Sequence, residues 1–212
     1  MISMQRLTRC FGVAALAAAS VSCGSVVREG RSPVYLVIDS LLGIRGAVTS
    51  GTPASNLVSD VITNVISPEP CSSASPCPTF FLDSGTVTLR APLKDVVSAT
   101  TPAAPTTNNE VTITRYHVQY TRTDGRNTQG VDVPYAFDGA TTGTVPANGS
   151  VTLGFVLVRN SAKQESPLIQ LQVNPGILTT IAKVTFYGKD RVGHDISVTG
   201  QIQIDFGNFG DF

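Results

Sequence analysis

Apolar and polar residues alternate with a period of two through much of this chain, and the clearest run is at its C-terminus. Ile196, Val198, Gly200, Ile202, Ile204 and Phe206 alternate there with Ser197, Thr199, Gln201, Gln203 and Asp205. One apolar and one polar face over a whole segment is what an antiparallel sheet with one wet side requires. Just before it, Ala182, Val184 and Phe186 alternate with Lys183, Thr185 and Tyr187, and a turn-forming stretch, 188–195, joins the two runs. That pattern predicts a hairpin with a moderately long tip. Val151, Leu153, Phe155 and Leu157 mark another strand, opened by the Asn148-Gly149 turn. Val34, Leu36 and Ile38 mark the first strand, and Val87 and Leu89 an early central one.

The segment from Val111 to Tyr120 changes phase. Val111 and Ile113 share one face, whereas Tyr116, Val118 and Tyr120 share the other. A one-residue slip inverts every side chain, so a bulge near Thr114 or Arg115 is predicted, with a possible crossing between sheets there. The β-branched run 57–66 (LVSDVITNVI) reads as a short strand rather than a helical turn. Two segments read as irregular loops: 98–109 and the stretch carrying Cys71 and Cys77. Long helical periodicity and internal repeats are absent. Some seven strands separated by turn signals predict an all-β fold, an antiparallel β-sandwich.

Composition agrees with that class. Charged residues make up only 14% of the chain, while 19 glycines and 13 prolines supply turns. The formal net charge is zero, and removal of the first 22 residues, with Arg6 and Arg9 and no acid, leaves it slightly negative. No basic run marks a nucleic-acid partner, and no basic amphipathic helix marks a membrane surface. Residues 33–212 suit one domain with a core of its own.

The N-terminus reads as an address. Arg6 and Arg9 precede an apolar stretch, 11–19, and then Ser20-Val21-Ser22-Cys23-Gly24. A basic start, a short apolar region and small residues at the exit describe a secretory signal peptide over 1–22, too short to span a bilayer. A cysteine directly after small residues resembles the lipobox of bacterial lipoproteins, with Ser20 where that family usually has leucine. The resemblance implies that Cys23 is lipidated and becomes the mature N-terminus, with residues 23–32 as a tether. It also implies an exported, lipid-anchored protein of the bacterial cell envelope, expected at the outer membrane. Ser20-x-Ser22 also satisfies ordinary signal-peptidase cleavage, which would release a secreted protein.

Cys10 leaves with the leader and Cys23 takes the lipid, so Cys71 and Cys77 remain as a pair in a Pro- and Ser-rich loop. In an oxidising compartment the expected product is a disulfide, contributing roughly 2–2.5 kcal/mol by loop entropy. Zinc would need two more ligands, and neither His117 nor His194 is near in sequence. A redox pair would more usually be Cys-x-x-Cys.

Catalytic signatures are weak. There is no Gly-x-Ser-x-Gly elbow and no His-Glu-x-x-His. His117 sits in polar alternation and reads as a half-exposed strand residue, while His194 lies at the hairpin tip between Gly193 and Asp195. No cofactor is expected; Asp124, Asp132, Asp138, Asp190 and Asp195 lie in or beside loops that would suit calcium, although Asp beside Gly is also ordinary turn chemistry.

The hairpin 182–198 resembles the last two strands of bacterial immunoglobulin-like and fibronectin type III-like modules, in which Asp-x-x-Gly precedes the final strand. Here those residues are Asp190 and Gly193. The chain as a whole resembles bacterial lipoproteins bearing such a domain, which implies a fold class and no activity. It has no tryptophan for the usual core position, and its cysteine pair is too close in sequence to pin two sheets together.

The expected function is a non-enzymatic interaction or structural module. The membrane holds its lipid, and its loops meet another envelope protein or a glycan. Candidate contact residues are Asp124, Arg126, Asp190, His194 and Asp195, because recognition concentrates on exposed loops of rigid scaffolds. The alternatives are an accessory subunit of a pilus or secretion assembly that pairs by a β-edge, and an exported enzyme with a site built across loops. The terminal Phe206, Phe209 and Phe212 are expected to fold back over one end of the sandwich.

Overall fold

The computed structural model describes residues 32–46, 51–94 and 104–210. The leader, Cys23, nearly all of the tether, part of the 98–109 loop and Phe212 lie outside the described residues. Strands and short 3-10 turns make up the regular structure there, and no helix among them is long and apolar enough to cross a membrane.

The strands are β1 (Val37–Ile44), β2 (Asn56–Asp60), β3 (Thr63–Val65), β4 (Cys77–Thr79) and β5 (Asp83–Arg90) in the first half. In the second half come β6 (Val111–Thr121), β7 (Phe137–Val145), β8 (Ser150–Val158), β9 (Leu178–Asp190) and β10 (Asp195–Gly207). One sheet has the order β1-β5-β8, and a larger one runs β2-β10-β9-β6-β7. The fold is therefore all-β. Two departures from the expected seven antiparallel strands stand out. The run 57–66 splits into β2 and β3, and β2 pairs in parallel with β10 while the other ladders are antiparallel. β3 and β4 form a small ribbon of their own beside the Cys71–Cys77 disulfide, whose Cα atoms lie 5.4 Å apart.

The core lies between the two large sheets and follows the alternation. Ile196, Ile202, Ile204 and Phe206 of β10 and Ala182, Val184 and Phe186 of β9 are buried on one side. Leu153, Phe155 and Leu157 of β8 and Val87 and Leu89 of β5 are buried opposite them. The β6 ladders shift register between Ile113 and Arg115 on both flanks, so Val111, Ile113, Tyr116, Val118 and Tyr120 are all buried. The expected bulge thus keeps one strand facing inward throughout. Tyr116 meets Phe155 with ring centroids 5.4 Å apart, and Phe155 meets Phe186 at 5.2 Å, both edge-to-face. The Tyr120 hydroxyl donates to the Leu157 carbonyl across the core at 2.7 Å.

Between its buried ends, Phe137 and Val145, β7 lacks apolar alternation because neighbouring side chains fill its inner face. A Cβ on Gly139 would lie 2.2 Å from the Tyr116 ring, and one on Gly143 would lie 2.3 Å from Leu153. The Tyr116 hydroxyl in turn accepts the Val156 N–H of β8 at 3.0 Å. Phe206 is buried as a core residue of β10 and Phe209 is half-buried just beyond that strand.

Charged groups are also buried at one end of the core. Asp83 opens β5 with no side-chain exposure, and its Oδ2 pairs with Lys163 Nζ at 2.9 Å, in a 3-10 turn (Ser161–Gln164) after β8. Oδ2 also accepts the Ser59 hydroxyl of β2 at 2.6 Å, and Oδ1 accepts the Gly46 N–H at 2.7 Å. Nearby in the chain, Asp60 takes Arg45 at 2.8 Å and the Phe209 N–H at 3.2 Å.

Gly139→Ala tests the packing of β7. The added methyl must displace a ring held by a hydrogen bond and three aromatic neighbours. Denaturant unfolding is expected to show a loss of about 1–3 kcal/mol. An unchanged midpoint would contradict this packing.

Candidate functional site

The hairpin tip between β9 and β10 is built around Asp190. Its Oδ1 accepts the N–H groups of Val192 at 3.1 Å and His194 at 2.8 Å, and its Oδ2 meets His194 Nδ1 at 2.9 Å. Gly193 takes φ +91°, the left-handed conformation that glycine adopts without strain. Burial pushes the Asp190 carboxyl up, but the His194 N–H and ring and the Ser32 hydroxyl together hold it below the ordinary value. Asp190 and His194 are thus engaged in shaping the turn. Asp195 pairs with Lys189 at 3.1 Å, and Arg191 pairs with Glu110, leaving Val192 as the exposed apolar residue at the tip.

The turn after β6 has the same logic around Asp124. Both of its oxygens accept guanidinium N–H groups, from Arg122 Nε at 3.1 Å and from Arg126 Nε at 3.0 Å and Nη2 at 2.9 Å. The Arg126 backbone N–H adds a further bond at 3.1 Å, and Gly125 sits at φ +83°. The Arg122 guanidinium chiefly, and then Arg126, hold the carboxyl down to about 2 against an opposing push from desolvation. A calcium ion here would have to displace two arginines. Asp132 accepts the Thr128 N–H at 3.2 Å. Asp138 lies opposite His117 in the β6–β7 ladder, on the outer face, with His117 Nδ1 at 3.2 Å and Arg115 at 3.6 Å. The five aspartates are therefore dispersed among separate partners. Among the described residues no group of three or more His, Cys, Asp or Glu is placed to hold a metal ion.

Two depressions lie beside these loops. One, of about 330 Å3, sits under the β6 bulge and is lined by Arg115, Tyr187, Lys189 and Asp195. The Arg115 guanidinium stacks over the Tyr187 ring there, 3.8 Å from its centroid. The other, of about 320 Å3, lies between the loop following β6 and the segment joining β8 to β9. Arg122 and Arg126 form one wall; Val131, Pro167, Leu171 and Ile177 supply the apolar lining. Val131 and Ile177 are each 65% exposed, and Val173, on the same connecting segment, is 81% exposed.

The groove therefore joins one of the sequence-derived contact candidates, Arg126, which Asp124 holds in place, to apolar residues that the sequence did not single out. Those residues sit singly in polar loops, where no periodicity reports them. A shallow depression that sets exposed apolar side chains beside fixed charges and amides can take a peptide or protein side chain. His194, Asp190 and Asp195 stand at a different loop.

The Asp124 carboxyl is depressed relative to the ordinary unfolded value of about 3.9. The stabilisation it brings to the turn is complete above that value and is lost as pH falls toward about 2. A carboxyl-carbon NMR titration is expected to show a midpoint near 2 for Asp124, moving up in Arg122→Gln. An ordinary midpoint in the unaltered protein would contradict the geometry. Compared with known proteins, the chain matches no family model, and no curated protein sequence matches it.

Proposed function

We propose that this protein is a lipid-anchored β-sandwich of the bacterial cell envelope that acts as a non-enzymatic interaction module. The mixed polar and apolar groove beside Arg122 and Arg126, with Val131 and Ile177 exposed in it, is the observation that carries this reading. Monomeric domains bury most such side chains, and clustered exposed ones mark contact sites. Cys23 holds the base through its lipid, and the groove meets an apolar segment of another envelope protein that bears an acidic residue for Arg126.

The strand order supports an immunoglobulin-like or fibronectin type III-like sandwich. β1-β5-β8 faces β2-β10-β9-β6-β7, the last hairpin lies within the larger sheet, and the chain passes repeatedly between the two sheets. In such a frame the loops after β6 and β8 are connections whose shape the sheets hold rigid.

β-edge pairing stays as a second reading because β7 ends the larger sheet and contains neither proline nor lysine. Those residues are two of the devices that block strand addition.

Site-specific photo-crosslinking in cells distinguishes the two. A crosslinker replacing Asn174 in the groove is expected to capture one envelope protein, and Ile177→Asp is expected to abolish that product without lowering thermal stability. Capture from Thr142 on β7 alone would favour edge pairing. Capture from neither position would overturn the interaction reading.

A further inference from the structure

The buried pair of Lys163 and Asp83 has the components of an internal amide-forming site. Both side chains are almost completely shielded from water, at 1% and 0% exposure, and Nζ lies 2.9 Å from Oδ2. The two residues are remote in sequence, so the fold alone brings amine and carboxyl together. Holding two groups side by side removes much of the entropy cost of bringing them together.

We propose that Lys163 and Asp83 condense to an intramolecular isopeptide bond during maturation of this protein. Separated charges are costly in a dry site, and moving one proton from Nζ to Oδ2 leaves a neutral amine facing a neutral carboxylic acid. The Nζ lone pair then attacks Cγ of Asp83. Negative charge develops on Oδ1, which already accepts the Gly46 N–H at 2.7 Å, the arrangement of a single-donor oxyanion site. The Ser59 hydroxyl, 2.6 Å from Oδ2, is the group assigned to relay a second proton from nitrogen to that oxygen. The Cγ–Oδ2 bond breaks, one water leaves, and the Cγ–Nζ amide remains. No oxidant, reductant or activating co-reactant is needed. The product replaces two buried charges with one neutral amide whose oxygen keeps the Gly46 bond.

The bond would join the start of β5 to the turn that follows β8. It would lock the segment that forms one wall of the groove, a useful property for an exported protein that meets proteases and mechanical load.

Mass spectrometry of the purified, reduced full-length protein after trypsin digestion decides the matter. Condensation yields a branched peptide joining residues 46–90 to residues 160–183, lighter than the two together by one water, about 18 Da. The Lys163 cleavage site is then lost. Separate peptides with normal cleavage after Lys163 would overturn the proposal. Lys163→Arg is expected to abolish the branched species, and its persistence in that variant would place the linkage elsewhere and equally overturn the assignment. Ser59→Ala is expected to slow its appearance at least tenfold in freshly folded protein. An unchanged rate would overturn the relay.

Discussion

The Asp83 carboxylate is the constraint on which much of this molecule depends. It sits unexposed at the first residue of β5, with Ser59 of β2, the Gly46 N–H and Lys163 gathered around it. A carboxylate in such a place is tolerated only when its oxygens are satisfied, and removing one partner of a buried pair costs about 3–5 kcal/mol. Three separate pieces of chain must therefore converge at this end of the core. Lys163 also carries its neighbours with it. Its carbonyl accepts the Gln172 side chain at 3.2 Å, and Leu168 in the same connection is fully buried. Pro167, Leu171 and Ile177 are held as a wall of the groove by a connection fixed at this buried charge.

The rest of the core shows a division of labour between large and absent side chains. Tyr116 and Leu153 reach into the places that Gly139 and Gly143 leave open, so β7 closes the larger sheet with little apolar surface of its own. Gly200 does the same between the sheets, where a Cβ would lie 2.8 Å from Ile38 and 2.9 Å from Leu41. Such close packing yields a rigid frame. Rigidity is what lets short connections present a fixed surface, and it ties the packing of β6, β7 and β8 to the proposed role of the groove beyond them.

The sequence made much of this frame readable, for physical reasons that also explain its gaps. Alternation in β8, β9 and β10 was legible because one face of each is buried, and the bulge in β6 because a one-residue slip moves Tyr116 and its successors across the pattern. The disulfide followed from two cysteines left as a pair in one Pro- and Ser-rich loop. β7 was missed because Gly139 and Gly143 interrupt the apolar pattern between its buried ends, Phe137 and Val145. The parallel pairing of β2 with β10 was missed because alternation says nothing about strand direction. Lys163 stands in a polar stretch, 160–166, and reads as a surface lysine; only the fold places it beside Asp83. Of the candidate contact residues, Asp190 and His194 resembled a binding tip because the residues that shape a turn are also those that bind ligands. Asp124 and Arg126 were found because they lie in a turn-forming loop, while Val131 and Ile177 gave no periodic signal.

The proposed role rests finally on where the chain is held, since a module that presents a groove to envelope partners must be exported and anchored. The most direct measurement is the mass of the N-terminal peptide of the protein extracted from cell membranes, compared with Cys23→Ala. An acylated glyceryl adduct on Cys23 as the first residue, with the variant released or left unprocessed, is the expected result. An unmodified N-terminus on a protein recovered from the medium would contradict the anchor and make this a secreted module.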